Sequence, residues 1–296
     1  MKVSIRTMLG FNMNTIECPV KSFRFSAGEE HIVLPEALKE ISYGDEVIIE
    51  AEIRSSDDLM RVGMIKDAIS RCAHFRVPVK LIMLYVPYGR QDRPCEAGEA
   101  FGLKVFANII NSWDFEEVVI ADPHSDVTPA LIDRLTIIPQ EKIVKEMLGH
   151  YIPMDNFAIV SPDAGALKKI FKVAKELGGV DVYCAEKIRD TATGAIKHTD
   201  ISVQDFEGRN LIIVDDICDG GYTFIKLAEL LKSRNAGRVD LYVTHGIFSK
   251  GLRPLEGVLD RVHSLNVWKE NVEIDQDILV LNQGISRRVI LNKYYN

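Results

Sequence analysis

Short apolar runs alternate with stretches of helical period along most of the chain, and this alternation constrains the fold more than any other feature. Strands that are buried on both faces and joined by helices form largely parallel sheets, so the pattern predicts an α/β protein. The expected strands are Val79–Tyr85, Glu117–Ala121, Phe157–Ser161, Val180–Ala185, Leu211–Val214 and Leu241–Thr244. Between Asp57 and Phe75, the residues Val62, Ile65, Ile69 and Cys72 recur every three or four positions, which predicts a helix with one face against a sheet. Glu99–Asn111, Ala164–Leu177 and Tyr222–Arg234 read in the same way. Each strand leads into a polar, chemically loaded segment. In open parallel sheets, ligands bind beyond the carboxyl ends of the strands, where these segments would lie.

The 296 residues suffice for two domains, and a break is expected at Gly149–Pro153, giving units of 1–154 and 155–296. Thirty-six basic residues against 43 acidic ones give a net charge of −7, which argues against a nucleic-acid or anionic-membrane coat. The five cysteines are scattered, with no CxxC pair, so neither a disulfide framework nor a structural zinc site is expected. The first residues do not read as a signal sequence, and no stretch has the apolar length of a bilayer span, so a cytoplasmic location is expected.

The most informative segment is Leu211–Thr223, with the sequence LIIVDDICDGGYT. An apolar strand ending in Asp215 and Asp216, then a glycine-rich turn and a helix, offers carboxylates for sugar hydroxyls beside N–H donors for phosphate. A solvated loop whose turn is made by glycines is the plain alternative. Arg90 and Arg93, in the run Tyr85–Arg93, can grip anionic or planar groups, or can be surface arginines with Asp92 as an ion-pair partner. Asp122–Pro123–His124 and Ser161–Pro162–Asp163 put hard ligands at strand ends, suited to a Mg²⁺ that also binds substrate phosphates. Lys187 and Arg189 stand at the mouth of the polar stretch Asp190–Asp200, which reads as a flexible loop able to close over a reacting phosphate chain.

Taken in order, these segments resemble the ribose-phosphate pyrophosphokinases, and Phe25–Glu29 and Ser56–Met60 extend the resemblance from about residue 20 to beyond 245. The resemblance implies two phosphoribosyltransferase-type domains with mainly parallel sheets flanked by helices, the last residues returning to the first domain. It implies transfer of the β,γ-diphosphate of ATP to the anomeric hydroxyl of ribose 5-phosphate, with Mg²⁺, small-molecule substrates and a homo-oligomer. By matching motif, Phe25, Glu29, Arg90, Gln91, Asp92 and Arg93 would serve ATP. His124, Asp163 and Asp122 would be associated with Mg²⁺. Lys187 and Arg189, with His124, would be catalytic, the two cations steadying the reacting phosphorus. Asp215 and Asp216 would hold the ribose hydroxyls, and Asp219, Gly220, Gly221, Tyr222 and Thr223 the sugar phosphate.

The family's sugar-phosphate loop usually continues Asp-Thr-Ala/Gly/Cys-Gly-Thr, whereas this one reads Asp219-Gly220-Gly221-Tyr222-Thr223. A hydroxyl is lost at 220 and a large aromatic stands where the backbone would approach the 5-phosphate. Tyr222 offers a ring for stacking and a phenol, as suits a ribose whose 5-substituent ends in a base. Together with the wording of Asp122–Ala130, this resembles a divergent branch that makes ADP-ribose pyrophosphate for NAD salvage. A simple phosphoribosyltransferase would share the Asp215–Asp216 segment without needing Arg90, Arg93 and His124. A non-catalytic homologue that binds sugar pyrophosphate is the other alternative, although it would have no need of Lys187 and Arg189. No GxxxxGK[ST] or GxGxxG occurs, which disfavours P-loop and dinucleotide-binding proteins.

Overall fold

The computed structural model describes residues 1–9, 12–34, 41–72, 74–149, 156–189, 196–268 and 279–281, and only the backbone of 7–9, 12–14, 187–189, 196–199 and 279–281. The chain divides into compact units of Met1–Ile137 and Ile138–Asn296. The division therefore falls before the expected break at Gly149–Pro153, most of which (150–153) lies outside the described residues, as does the proposed return of the last residues (282–296).

In the first unit the elements run β1 (Lys2–Leu9), β2 (Asn12–Cys18), β3 (Lys21–Arg24), β4 (Glu30–Val33), β5 (Glu46–Glu50), α1 (Ser56–Cys72), β6 (Val79–Ile82), α2 (Gly102–Ser112), β7 (Glu117–Ala121), α3 (Val127–Leu131) and β8 (Leu135–Ile138). The sheet order is β2-β1-β5-β6-β7-β8, while β3 and β4 form a separate hairpin. β5, β6 and β7 are parallel, and β1 pairs antiparallel with both β2 and β5. Val62, Ile65 and Ile69 of α1 are fully buried in one core with Val47 and Ile49 of β5 and Leu81 of β6, on the face predicted by their spacing. Cys72 is only partly buried, at the last position of the helix. Ser55 starts α1 as a reciprocal cap: its Oγ accepts from the Asp58 amide at 3.1 Å and donates to the Asp58 carboxylate at 2.8 Å.

The second unit runs α4 (Gln140–Leu148), β9 (Phe157–Ser161), α5 (Leu167–Glu176), β10 (Val182–Arg189), β11 (Ile196–Ile201), β12 (Asn210–Cys218), α6 (Tyr222–Ser233), β13 (Val239–Gly246), β14 (Arg261–Val267) and β15 (Leu279–Leu281). The sheet order is β11-β10-β9-β12-β13-β14-β15, parallel except for the β10–β11 hairpin. Leu227, Ala228 and Leu231 of α6 share a core with Leu211 and Ile213 of β12 and Leu241 and Val243 of β13. α4 belongs to this unit: Lys142 and Lys145 both pair with Glu176 at the end of α5, and Gln140 Nε2 donates to the Asp215 carbonyl at 2.9 Å.

After β9 the chain passes to β10 on one side, then to β12 on the other. The carboxyl ends of β9 and β12 therefore flank a topological switch point, the place where such sheets open a binding crevice.

Candidate active site

In the first unit, the residues expected to serve ATP lie on the β3–β4 hairpin and on the loop that follows β6. At the hairpin turn the Phe25 amide donates to the Glu29 carbonyl at 2.8 Å and the Gly28 amide to the Phe25 carbonyl at 2.9 Å. Gly28 has a φ of +95°, a conformation that a side chain would strain. Phe25 is half exposed, with its ring 5.1 Å from that of Phe23 and 5.7 Å from that of His31, and Glu29 is exposed beside it. Glu30 anchors this turn to α1. It accepts from Arg24 Nε at 2.9 Å and from Arg61 Nε and Nη2 at 3.0 and 2.9 Å, while Arg24 also pairs with Asp57. The Arg61 and Arg24 hydrogen bonds hold the Glu30 carboxyl down at about 2.

Asp92 is buried and receives a two-pronged grip, from Arg93 Nε at 2.8 Å and Nη2 at 3.0 Å. Those bonds, helped by a hydrogen bond from Ser125 and by the nearness of His124, lower its carboxyl to about 2. The arginine run and the Asp-Pro-His run thus meet at one strand end. Arg90, Arg93 and His124 are exposed there, while Asp122 is buried with a left-handed φ of 40°. Gln91 is exposed and lies against the start of α2: its carbonyl accepts from the Leu103 amide at 3.2 Å, and a side chain on Gly102 would collide with its Oε1.

In the second unit, β12 continues through Asp215 and Asp216 to Cys218, so the two carboxylates sit within the strand rather than after it, as neighbours in the pleat. Interstrand pairing carries it that far, with Ile217 opposite His245 and Cys218 opposite Gly246. The Asp216 amide donates to Asp215 Oδ1 at 2.9 Å. Loss of hydration, then the Asp216 carboxylate, then Asp163 push the Asp215 carboxyl well above the usual range. Asp163 follows β9, and its Oδ1 accepts from the Ala166 amide at 3.2 Å. The two sides of the switch point therefore bring three carboxylates into one field. Cys218 beneath them is buried, its thiol raised to about 12 by burial, Asp215 and Asp219, and so is inert.

Gly221 precedes α6 with a φ of +79°, and a Cβ there would lie 2.9 Å from Cδ2 of Leu255. Both facts require glycine at that position. The exposed ring of Tyr222 opens the helix, and Thr223 behind it is half-buried. Lys187 and Arg189 are not on a loop: they lie on β10, opposite Thr199 and Ile196 of β11, with a register break between Ile188 and Arg189. The alternation of Ile196, His198 and Asp200 with Lys197, Thr199 and Ile201 suits a strand, which the polarity of the stretch obscures. Their side chains, and residues 190–195, lie outside what is described.

The sequence reading missed Ser125, the Arg24–Glu30–Arg61 clamp and the loop after β13. Ser249 and Lys250 of that loop lie against Gly220: a Cβ on Gly220 would be 3.7 Å from Cε of Lys250 and 4.0 Å from Oγ of Ser249. The available signal was that this loop, like the others, follows the carboxyl end of a buried parallel strand.

No helix among the described residues is long and apolar enough to cross a membrane. None of their His, Cys, Asp and Glu side chains form a group of three or more able to cage a metal ion.

Residues 133–276, nearly all of them in the second unit, match the phosphoribosyl transferase domain. The chain is 33% identical over 251 residues to a ribose-phosphate pyrophosphokinase of Ralstonia nicotianae, covering 81% of this chain and 74% of that one. It is 31% identical over 234 residues to the Vibrio parahaemolyticus enzyme of the same name, covering 76% and 70%. The phosphoribosylpyrophosphate synthetase of Mycobacterium smegmatis shares the fold, with a TM-score of 0.75 at 21% identity over 94% of this chain and 89% of that one. The chain belongs to the ribose-phosphate pyrophosphokinase family, and is thus a transferase.

Proposed function

We propose that this enzyme transfers the β,γ-diphosphate of ATP to the anomeric hydroxyl of a ribose bearing a 5-phosphate group, releasing AMP. The observation that carries the reading is the Asp215–Asp216 pair on β12, beside the Gly220–Gly221 turn and the start of α6, at a switch point of the sheet. The carboxylates accept from the ribose 2- and 3-hydroxyls, while Thr223 and the first amides of α6 take the 5-phosphate. In the first unit, Phe25 stacks on adenine and Arg90 and Arg93 hold phosphate oxygens, with Gln91, Asp92 and Glu29 shaping that surface. The anomeric oxygen attacks the β-phosphorus, the bond to the α,β-bridging oxygen breaks, and AMP departs with that oxygen. Lys187 and Arg189 stabilise the charge that builds on the phosphorus, since positioning and neutralisation supply most of the acceleration in such transfers.

The donor set fits magnesium carried in on phosphates. Asp216 and Asp163 raise the proton affinity of Asp215, which a cation nearby would relieve, and Mg²⁺ needs only one or two protein carboxylates beside phosphates and water. Asp163 in the second unit would hold such an ion, and so would His124 with Asp122 in the first. Bound there, it would screen the phosphate charge.

The loop favours ADP-ribose over ribose 5-phosphate. Gly220 gives no hydroxyl to a terminal phosphate dianion, and the Tyr222 ring, 66% exposed, is open for a base at the far end of the substituent. The test is AMP release from ATP and Mg²⁺ with the two sugars in parallel. The expected result is a higher kcat/KM with ADP-ribose. Ribose 5-phosphate used at least as efficiently would contradict it.

A further inference from the structure

The β13–β14 connection is fixed against the sugar-phosphate turn by the backbone. The amides of Ile247 and Phe248 both donate to the Cys218 carbonyl, at 2.8 and 3.1 Å, and the Ser249 amide donates to the Asp219 carbonyl at 3.2 Å. Phe248 adopts a left-handed φ of 43°, uncommon for a bulky residue. Its ring is fully buried and fills the space where a side chain on Gly246 would otherwise stand. That anchorage holds the next two residues over Gly220.

Of these, Lys250 carries the cation. Its Cδ and Cε would lie 3.8 and 3.7 Å from a Cβ on Gly220, so the stem runs along the bare glycine. The residue is exposed, and among the described residues it makes no ion pair or hydrogen bond. An ammonium is a compact charge with three donors, suited to phosphate oxygens. Lys250 rests against Gly220, two residues before α6 begins, so it stands aside from the helix amides that take the first phosphate. Its charge would therefore serve a phosphate other than the one at those amides.

We propose that Lys250 is a specificity residue whose ammonium binds the second phosphate of a diphosphate-linked 5-substituent on the ribose. This inference rests on the ADP-ribose reading and assigns one residue to it. Lys250→Met keeps the apolar stem against Gly220 and removes the charge, while Lys250→Arg restores it. The measurement is AMP release with ADP-ribose and ribose 5-phosphate, for the wild type and both variants. Loss of one charge-assisted contact predicts that the KM ratio of ADP-ribose to ribose 5-phosphate rises about tenfold in Lys250→Met, and returns to within about threefold in Lys250→Arg. The change should lie in KM rather than kcat. An unaltered ratio in Lys250→Met, with wild-type enzyme that uses ADP-ribose, overturns this assignment alone. Wild-type enzyme inert toward ADP-ribose overturns the substrate reading and this assignment with it.

Discussion

The first unit holds two carboxylates under arginines. Asp92 under Arg93, and Glu30 under Arg24 and Arg61, are lowered to about 2 by arginine hydrogen bonds. In the second unit, Asp215 is raised by burial and by Asp216 and Asp163, with no arginine among the causes. Both units hang their chemistry on loops or strand ends of an α/β sheet, yet arginines grip Asp92 and Glu30 in one, while burial and acidic neighbours raise Asp215 in the other. The difference teaches which partner each unit awaits. The arginine grips on Asp92 and Glu30 stiffen a surface for a nucleotide. A buried carboxylate raised by its acidic neighbours suits hydroxyls and a cation.

The largest effect is expected at the cations required by the acidic unit. Lys187→Ala should lower kcat by about 10²- to 10³-fold while the circular dichroism spectrum and melting temperature stay near wild type. Unchanged turnover would remove Lys187 from the transfer step.

Next, Asp215→Asn should cut activity roughly a hundredfold and yet raise the melting temperature by about 2–4 °C at neutral pH, because it removes a charge that the fold disfavours. The carboxyl is raised in the folded state, so its cost is absent below about pH 4, grows as pH rises toward the raised value and is full above it. Melting curves at both pH values check this: the gain should vanish in acid, and a gain independent of pH would contradict the account.

A smaller effect is expected in the first unit. Arg93→Ala should raise KM for ATP about tenfold and release Asp92 toward its ordinary value. Since Asp92 is lowered, its stabilisation is present above about pH 4 and lost as pH falls toward about 2. The variant should therefore lose less stability than wild type across that acid window. Least of all, Glu30→Gln should loosen the hairpin that carries Phe25 and raise KM for ATP about threefold, measured with sugar saturating.

The parts of this contrast visible in the sequence were those set by local pattern. β7 and β9 match their predicted ends, and the buried face of α1 follows from the spacing of Val62, Ile65 and Ile69, because two-sided burial leaves a continuous apolar signal. β12 extends past Val214 because neighbour pairing at Ile217 and Cys218 outweighs the poor strand propensity of two aspartates. β14, with the sequence RVHSLNV, was missed because its interior His263, Ser264 and Asn266 are polar yet buried. The placement of α4 was not readable locally, because it is fixed by distant partners, Glu176 and the Asp215 carbonyl, rather than by its own flanks. The same holds at the site: the run from Arg90 to Arg93 was readable, but that Ser125 serves Asp92 and that Lys250 flanks Gly220 depends on contacts across the fold.

The central claim is that a diphosphate, not a single phosphate, leaves ATP for the sugar. Phosphorus NMR of ATP, Mg²⁺ and either sugar with the enzyme reads this directly. The account predicts AMP and a sugar 1-diphosphate accumulating in equal amounts. Formation of ADP with a sugar monophosphate, or no conversion of either sugar, would contradict it.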